Sequence, residues 1–278
     1  MRRVPSGAAW ALAAALVGSI ASRAQAQDEV PFVTTPDRVT LAMLDLAGVG
    51  PTDHVIDFGS GDGRIVITAA RRFGASGLGV EIVPDLVLRS RANARVAGVQ
   101  ERVEFREQDL FGTDLGRASV VTMYLLPEVN LQLRPRLLAL APGTRIVSHD
   151  WDMGDWRPDR SVTIDVPEKS IGREKSSRVH LWQVPAQVHG LWCTAGASLH
   201  IDQRFQQFSA TLHVGSTAAT PSSPPVVFDG RIAATLLQST PPSTLRMELV
   251  GGSLLVREAG GTARDWGGRR FDRAAGAR

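Results

Sequence analysis

A glycine-rich turn near the start of the chain has the composition of a cofactor-binding loop. An apolar stretch at residues 54–58 leads directly into Gly-Ser-Gly-Asp-Gly, and a helical pattern follows. Glycine permits positive φ angles and lets a ligand approach the backbone closely. The spacing G-x-G-x-G differs from the dinucleotide motif G-x-G-x-x-G, whose third glycine helps to seat a pyrophosphate. The turn therefore suits a phosphate-free cofactor with nucleoside and amino-acid ends, and the residues expected to bind it are Gly59, Ser60, Gly61, Asp62 and Gly63.

Three acidic residues occupy similar places on three successive β-rich stretches. Asp57 lies in the first, Glu81 ends the second 24 residues later, and Asp109 closes the third. Because open α/β sheets bind ligands at the carboxyl ends of their strands, these side chains are expected to share one site. The two oxygens of Glu81 match two ribose hydroxyls, Asp109 can accept from an adenine amine, and Asp57 faces the cationic amino-acid end. Leu110 is expected to supply an apolar edge of this site, and Ile82 is also expected to bind the cofactor.

The elements that position these residues alternate between strand and helix from residue 31 to residue 184. This alternation predicts parallel βαβ units and an open sheet with helices on both faces. Strands are predicted at 54–58, 77–82, 102–106, 118–124 and 144–149, and helices at 36–47, 62–73, 84–97 and 127–141. Two further strands, 161–166 and 179–184, flank a polar loop and predict an antiparallel hairpin that closes the sheet.

After residue 185 the pattern changes to short alternating runs separated by turn residues, which predicts a β-meander or a small barrel. The predicted strands are 191–193, 198–201, 208–214, 226–228, 232–237, 245–249 and 254–257. Four polar residues between two of these runs, Gln203, Arg204, Gln206 and Gln207, are expected to form a solvated face.

These segments resemble the class I S-adenosylmethionine-dependent methyltransferases over about residues 31–186. Four of them are similar to bacterial relatives of the mitochondrial lysine methyltransferases that modify the ATP synthase c-subunit and the adenine nucleotide carrier: PFVTTP at 31–36, the glycine turn with DGR at 62–64, YLLPEVN at 124–130, and SHDWDMGDW at 148–156. The resemblance implies a Rossmann-like seven-stranded sheet with a terminal hairpin, bound S-adenosyl-L-methionine, and transfer of a methyl group to lysine.

Methyl transfer from a sulfonium is an in-line displacement, in which alignment of donor and acceptor does most of the work. An amine acceptor must also lose a proton. Tyr124 and Asn130, at and just past the fourth strand, are the candidates for positioning the amine, and Asp150 or Glu128 for accepting a hydrogen bond from the incoming ammonium. His149, beside Asp150, is expected to make a structural hydrogen bond rather than to act as a general base.

The first residues have the pattern of a secretory signal peptide: a basic Met1-Arg2-Arg3, an apolar run over 8–21, and Ala24-Gln25-Ala26. Cleavage is expected after Ala26. The run is shorter than the roughly 20 residues that span a bilayer, so no membrane span is expected in the mature chain. The predicted location is periplasmic or extracellular, and the alternative is a tether in the inner membrane.

Composition excludes several classes of protein. The net charge is +3, and the basic residues are scattered arginines apart from Lys169 and Lys175, so no nucleic-acid partner is expected. The single cysteine, Cys193, excludes an intrachain disulfide. No His/Cys pattern predicts a metal site.

The sequence therefore predicts a signal peptide at 1–26, a methyltransferase domain at 31–186 and a small all-β domain of unknown role at 187–278. The expected activity is N-methylation of a protein lysine, with the cell envelope as one location for that partner. Two alternatives stay open: a non-catalytic exported protein that binds S-adenosylmethionine or an envelope partner on a methyltransferase scaffold, and a methyltransferase acting on small molecules or lipids.

Overall fold

The computed structural model describes residues 33–169, 174–215, 224–241 and 244–274. The predicted signal peptide at 1–26 lies outside the described residues. Within the described ranges, no helix has the length and hydropathy needed to cross a bilayer.

The first part of the chain forms a seven-stranded sheet with the strand order β3-β2-β1-β4-β5-β7-β6. The strands are β1 (His54–Phe58), β2 (Ser76–Glu81), β3 (Val103–Glu107), β4 (Val120–Met123), β5 (Arg145–His149), β6 (Arg160–Asp165) and β7 (Ser176–Gln183). Strands β1 to β5 pair in parallel, and β6 and β7 form the antiparallel hairpin. The helices are α1 (Asp37–Ala47), α2 (Arg64–Phe73), α3 (Pro84–Val96) and α4 (Pro127–Leu138).

Local sequence explains why these elements begin and end where they do. Pro84 and Pro127 stand in the first turns of α3 and α4, where a missing N–H costs nothing. Helix α1 ends at Gly48, whose left-handed conformation lets the last carbonyls find backbone donors. Every residue of β4 is buried because helices cover both faces of the sheet, as expected for a central parallel strand.

The second part of the chain is a closed antiparallel barrel with the order β10-β11-β12-β13-β14-β15-β8-β9. Its strands are β8 (Gly190–Thr194), β9 (Ala197–Arg204), β10 (Gln207–Val214), β11 (Val226–Ala233), β12 (Leu236–Ser239), β13 (Leu245–Val250), β14 (Ser253–Ala259) and β15 (Arg270–Arg273). Its interior is filled by side chains, including Trp192, Phe228 and Phe271. The predicted fold class, a methyltransferase sheet followed by a small barrel, is confirmed.

Two details of the barrel differ from the sequence prediction. A single strand at 232–237 is wrong, because the chain turns between β11 and β12 with Ala234 at φ 51°. Strand β15 was not predicted, because only Phe271 in its four residues is buried and one of its two partners, β8, is remote in sequence.

The predicted solvated face is correct for Arg204 and Gln207, which are exposed, and wrong for Gln203 and Gln206, which form hydrogen bonds at the junction of the barrel and the sheet domain. Gln206 is 3% exposed, and its Nε2 donates to the carbonyl of Arg157 at 2.7 Å. The ring of Phe205, at the tip of the β9–β10 hairpin, lies 6.1 Å from that of Trp156 beneath the sheet. Arg204 pairs with Asp155 at 2.9 Å.

Replacement of Gln206 by alanine should lower the free energy of unfolding by about 0.5–1.5 kcal/mol, because it removes the hydrogen bond from the buried Gln206 amide to the Arg157 carbonyl. Gln207→Ala is the matched control, since Gln207 is exposed and one residue away. Urea denaturation of both variants measures the difference. Equal loss in the two variants would show that the Gln206 hydrogen bond does not stabilise the junction.

Candidate active site

The glycine turn between β1 and α2 has a left-handed backbone conformation at each of its three glycines. Gly59, Gly61 and Gly63 have φ angles of 67°, 54° and 82°. The backbone N–H groups of Gly59 and Ser60 both donate to the carbonyl of Val80 on β2, at 3.0 Å. The turn is therefore attached to the carboxyl end of the neighbouring strand, which brings it close to the residue that follows, Glu81.

The third glycine is required by packing as well as by φ. A Cβ at Gly63 would lie 2.7 Å from the Phe105 ring and 2.8 Å from the Cβ of Ser90. Its role is thus to let α2 and α3 approach β3, and not only to admit a ligand.

Gly63→Ala should lower the free energy of unfolding by about 2–4 kcal/mol, through both the positive φ and the overlap with Phe105. Gly98→Ala is the control: its φ is 68°, but nothing lies within 4 Å of the added Cβ. The control should lose only about 1–2 kcal/mol. Thermal and urea denaturation of the pair separate the two causes, and equal losses would refute the packing role.

Glu81 is held in one orientation by backbone donors. Its Oε2 accepts from the N–H of Gly61 at 3.0 Å, and its Oε1 accepts from Ile82 at 2.8 Å and Val83 at 3.1 Å. The residue is 8% exposed. A carboxylate offers about four acceptor sites, so capacity remains on Oε2 for a ligand hydroxyl.

The other predicted cofactor residues take different positions around this carboxylate. Asp109 is exposed two residues beyond β3, where its Oδ1 accepts from the N–H of Phe111 at 2.9 Å, and Leu110 packs on the sheet core. Ile82 is 67% exposed at the end of β2. Asp62 is already paired with Arg64, with Oδ2 and Nη2 2.7 Å apart, and the guanidinium lowers the Asp62 pKa against the effect of burial.

Among the residues that the structure describes, two buried polar atoms at this edge of the sheet have no hydrogen-bond partner. The hydroxyl of Ser60 is buried and accepts or donates no hydrogen bond within the described part of the chain. The same holds for Oδ1 of Asn130 across the described residues. An unsatisfied buried polar atom costs about 1–3 kcal/mol, so both atoms fit a site completed by a polar ligand.

Asp57 lies beneath the glycine turn and is 2% exposed. Its Oδ1 accepts from Oγ1 of Thr122 on β4, at 2.7 Å. Burial raises the pKa of Asp57 to about 7, with a smaller contribution from the charges of Glu81 and Asp62, while the Thr122 hydrogen bond opposes the rise. Thr122 was not singled out from the sequence, because a threonine in a buried strand carries no local sign of its partner.

The candidate catalytic residues gather at the ends of β4 and β5. Met123 pairs with Phe58 on one side and with Ser148 on the other, so the next residue, Tyr124, lies beside the glycine turn. A Cβ at Gly59 would lie 3.2 Å from Leu125, which shows how close the two loops are. The Tyr124 hydroxyl lies 3.4 Å from Oδ2 of Asp150.

Asp150 is the centre of this cluster. It follows β5 at φ 62°, and its Oδ1 accepts from the N–H of Arg178 at 2.9 Å. Its Oδ2 accepts from Nζ of Lys169 at 2.8 Å. Burial alone would raise the pKa of Asp150, but the Lys169 ammonium and the Arg178 N–H hold it below its usual value. Asp150 is therefore an anion that binds an ammonium.

The remaining polar groups hold this cluster in place. Burial, and then the Asp150 charge, raise the pKa of Tyr124 to about 12, so its hydroxyl keeps its proton at neutral pH.

The His149 ring stacks on the Tyr124 ring, with 3.9 Å between the ring centroids, and His149 forms a hydrogen bond with Ser177 at 2.8 Å. Burial lowers the pKa of His149. Nδ2 of Asn130 donates to the carbonyls of residues 151 and 152. Glu128, the alternative to Asp150, is exposed.

The seven-stranded sheet with a terminal antiparallel hairpin is the fold that the resemblance to class I methyltransferases implied. The protein-family model of the ANTKMT methyltransferase domain matches residues 57–160 of this chain. A protein-lysine N-methyltransferase of Saccharolobus islandicus is 41% identical over 138 residues, which are 49% of this chain and 86% of that protein. The chain therefore belongs to the ANTKMT methyltransferase family, and the predicted resemblance is confirmed.

Two other similar proteins are matched over different shares of their own length. A lysine N-methyltransferase of the ATP synthase c-subunit, from Xenopus laevis, is 35% identical over 131 residues, 47% of this chain and 56% of that protein. The chain thus spans only about half the length of this vertebrate relative. A structure described as an RNA methyltransferase from Salinibacter ruber, in complex with S-adenosyl-L-homocysteine, is 52% identical, with a TM-score of 0.51 over 56% of this chain and 96% of that one.

Proposed function

We propose that this protein is an S-adenosylmethionine-dependent N-methyltransferase that acts on lysine side chains of proteins. The observation that carries the proposal is the ion pair between Asp150 and a lysine ammonium, placed beside Tyr124 and the glycine turn. A primary ammonium is thus bound within the site, next to the edge that fits the cofactor. The names of the archaeal and vertebrate relatives support the same acceptor.

S-adenosylmethionine supplies an electrophilic methyl group on its sulfonium. The residues that fit the cofactor are Glu81 toward the ribose, the Ser60 hydroxyl and the backbone of the glycine turn, with Asp109 and Ile82 toward the base. Asp57 would lie toward the cationic amino-acid end. These assignments follow the strand ends at which ligands of open α/β sheets bind.

The acceptor nitrogen needs a free lone pair, so the bound ammonium must first lose a proton. Because its pKa lies below the usual value, the Asp150 carboxyl does not keep that proton at neutral pH, and the proton passes to bulk solvent. Asp150 instead orients the nitrogen and compensates its positive charge. Tyr124 also remains protonated. Its hydroxyl is therefore a fixed dipole that helps to align the methyl donor with the acceptor amine.

The affinity for S-adenosylmethionine should rise as the pH increases from about 5 to about 7 and level off above that. Below pH 7, burial keeps the Asp57 carboxyl protonated. A cation bound beside this carboxyl lowers its pKa, so binding of the cofactor must release the proton. The limiting slope is about tenfold per pH unit. Calorimetric titrations across this range test the effect, and Asp57→Asn should flatten the profile. A pH-independent affinity in the unaltered protein would contradict it.

The acceptor class is tested by incubating the purified protein with methyl-deuterated S-adenosylmethionine and a cell-envelope extract, then searching the digest for deuterated methyl-lysine. The proposal expects label on lysines of one or a few polypeptides, and no label with the Glu81→Ala variant. Label confined to lipids, small molecules or RNA would overturn the lysine acceptor. Cofactor binding without any transfer would favour a non-catalytic binding protein.

We also propose that the protein is exported, on the strength of the basic, apolar and small-residue pattern at 1–26. S-adenosylmethionine is made in the cytoplasm, so an exported enzyme must carry its cofactor with it or receive it outside. N-terminal sequencing of the protein from fractionated host cells tests this. A periplasmic form beginning at Gln27 supports export, and a cytoplasmic form beginning at Met1 refutes it.

A further inference from the structure

The lysine bound to Asp150 belongs to the protein itself. Lys169 and Lys175 are the only lysines in the chain of 278 residues. Lys169 precedes β7, and its side chain is 15% exposed. Lys175, six residues later, is exposed, and its Nζ donates to the carbonyl of Lys169 at 2.6 Å. One lysine is thus inside the candidate acceptor site, and the other is outside it.

The hydrogen bonds of Lys169 leave one direction of its nitrogen for a lone pair. Within the described residues, Nζ donates to two groups, Oδ2 of Asp150 at 2.8 Å and the carbonyl of Ser176 at 2.7 Å. A tetrahedral nitrogen has four directions. Its own Cε takes one and these two acceptors take two more, so the lone pair of the neutral amine occupies the fourth direction.

We propose that Lys169 is a methyl acceptor for the protein's own active site, modified within the same molecule. This inference rests on the proposed function. The Lys169 ammonium first loses one proton to bulk solvent and becomes a neutral amine. Its lone pair then forms the N–CH₃ bond while the sulfonium S–CH₃ bond breaks, and the sulfur keeps the electron pair and leaves as the thioether of S-adenosylhomocysteine.

The same geometry limits the number of methyl groups. A monomethylated ammonium keeps two N–H bonds, which is the number that Asp150 and Ser176 accept. A second methyl would leave one of these two acceptors without its donor. Monomethyl-lysine should therefore be the main product at Lys169, and the positive charge that pairs with Asp150 is retained.

The test is to incubate the purified full chain with methyl-deuterated S-adenosylmethionine at several protein concentrations and to localise the label by tandem mass spectrometry. Lys169 is expected to carry at least about tenfold more label than Lys175, in the form of one methyl group. The labelling should be first order, with a rate constant that does not depend on protein concentration. Lys169→Arg should remove the label, whereas Lys175→Arg should leave it unchanged.

The cell-envelope extract in a parallel reaction distinguishes the two proposals. An unlabelled Lys169 together with labelled envelope lysines would overturn this inference and leave the proposed function standing. Preferential label at Lys175, or a rate that rises with protein concentration, would also overturn it. No label on any protein, with cofactor binding intact by calorimetry, would overturn both proposals.

Discussion

Replacing Glu81 by alanine should weaken the binding of S-adenosylmethionine at least about 100-fold. Hydrogen bonds to a charged acceptor contribute about 1.5–3 kcal/mol each, and 100-fold corresponds to about 2.7 kcal/mol. The variant also releases the N–H of Gly61, which Oε2 of Glu81 fixes at 3.0 Å, so the middle of the glycine turn loses its anchor. Titration calorimetry of both proteins with the cofactor measures the change.

Glu104→Ala is the matched control for this variant. Glu104 is exposed on the neighbouring strand and pairs with Arg106 at 2.6 Å, so its removal should leave cofactor affinity within about twofold. Glu81→Gln keeps the shape of the side chain and should give an intermediate loss. Undiminished affinity in Glu81→Ala would show that the nucleoside binds elsewhere.

Asp150→Asn should lower kcat for methylation of an external lysine by about 100-fold or more, with cofactor affinity within about twofold. Asparagine tolerates the left-handed φ of 62° at this position, so the backbone is preserved. The substitution removes the charge that compensates the ammonium, and the hydrogen bond of a charged pair is worth about 1.5–3 kcal/mol. Steady-state kinetics and calorimetry on the same preparation separate catalysis from cofactor binding.

Asp152→Asn is the control, because Asp152 is exposed and its side chain accepts from the N–H of Gly154 at 3.0 Å. It should retain most of the activity. If Asp150→Asn kept full kcat, the acceptor amine would have to bind away from the end of β5. If it lost cofactor affinity in proportion to activity, Asp150 would belong to the cofactor pocket instead.

The sheet was predictable because its signals are local. The run His54–Phe58 followed by three glycines marks a strand, a turn and a helix within eleven residues, and Pro84 and Pro127 mark two helix starts. Parallel topology alone then predicts that Glu81 and Tyr124 lie at the same edge of the sheet. No side-chain contact needs to be known for this prediction. The strand register of β1 with β2 and β4 brings them together.

Contacts between distant segments carried no such signal. Lys169 reaches Asp150 because the β6–β7 hairpin folds back onto β5, and a polar loop sequence does not indicate which carboxylate its lysine will meet. Gln203 and Gln206 resemble a solvated face in sequence, yet they form hydrogen bonds at the junction with the barrel. Their partners are backbone carbonyls, which any sequence provides.

The central claim is that the carboxyl edge of this sheet binds S-adenosylmethionine with its sulfonium directed toward a lysine amine. A crystal structure of the full chain with S-adenosylhomocysteine tests it most directly. The account predicts a ribose hydroxyl within hydrogen-bonding distance of Oε2 of Glu81, and the sulfur on the side of Tyr124 and Asp150, facing Nζ of Lys169. A nucleoside bound away from Glu81, or a sulfur turned from that amine, would contradict it.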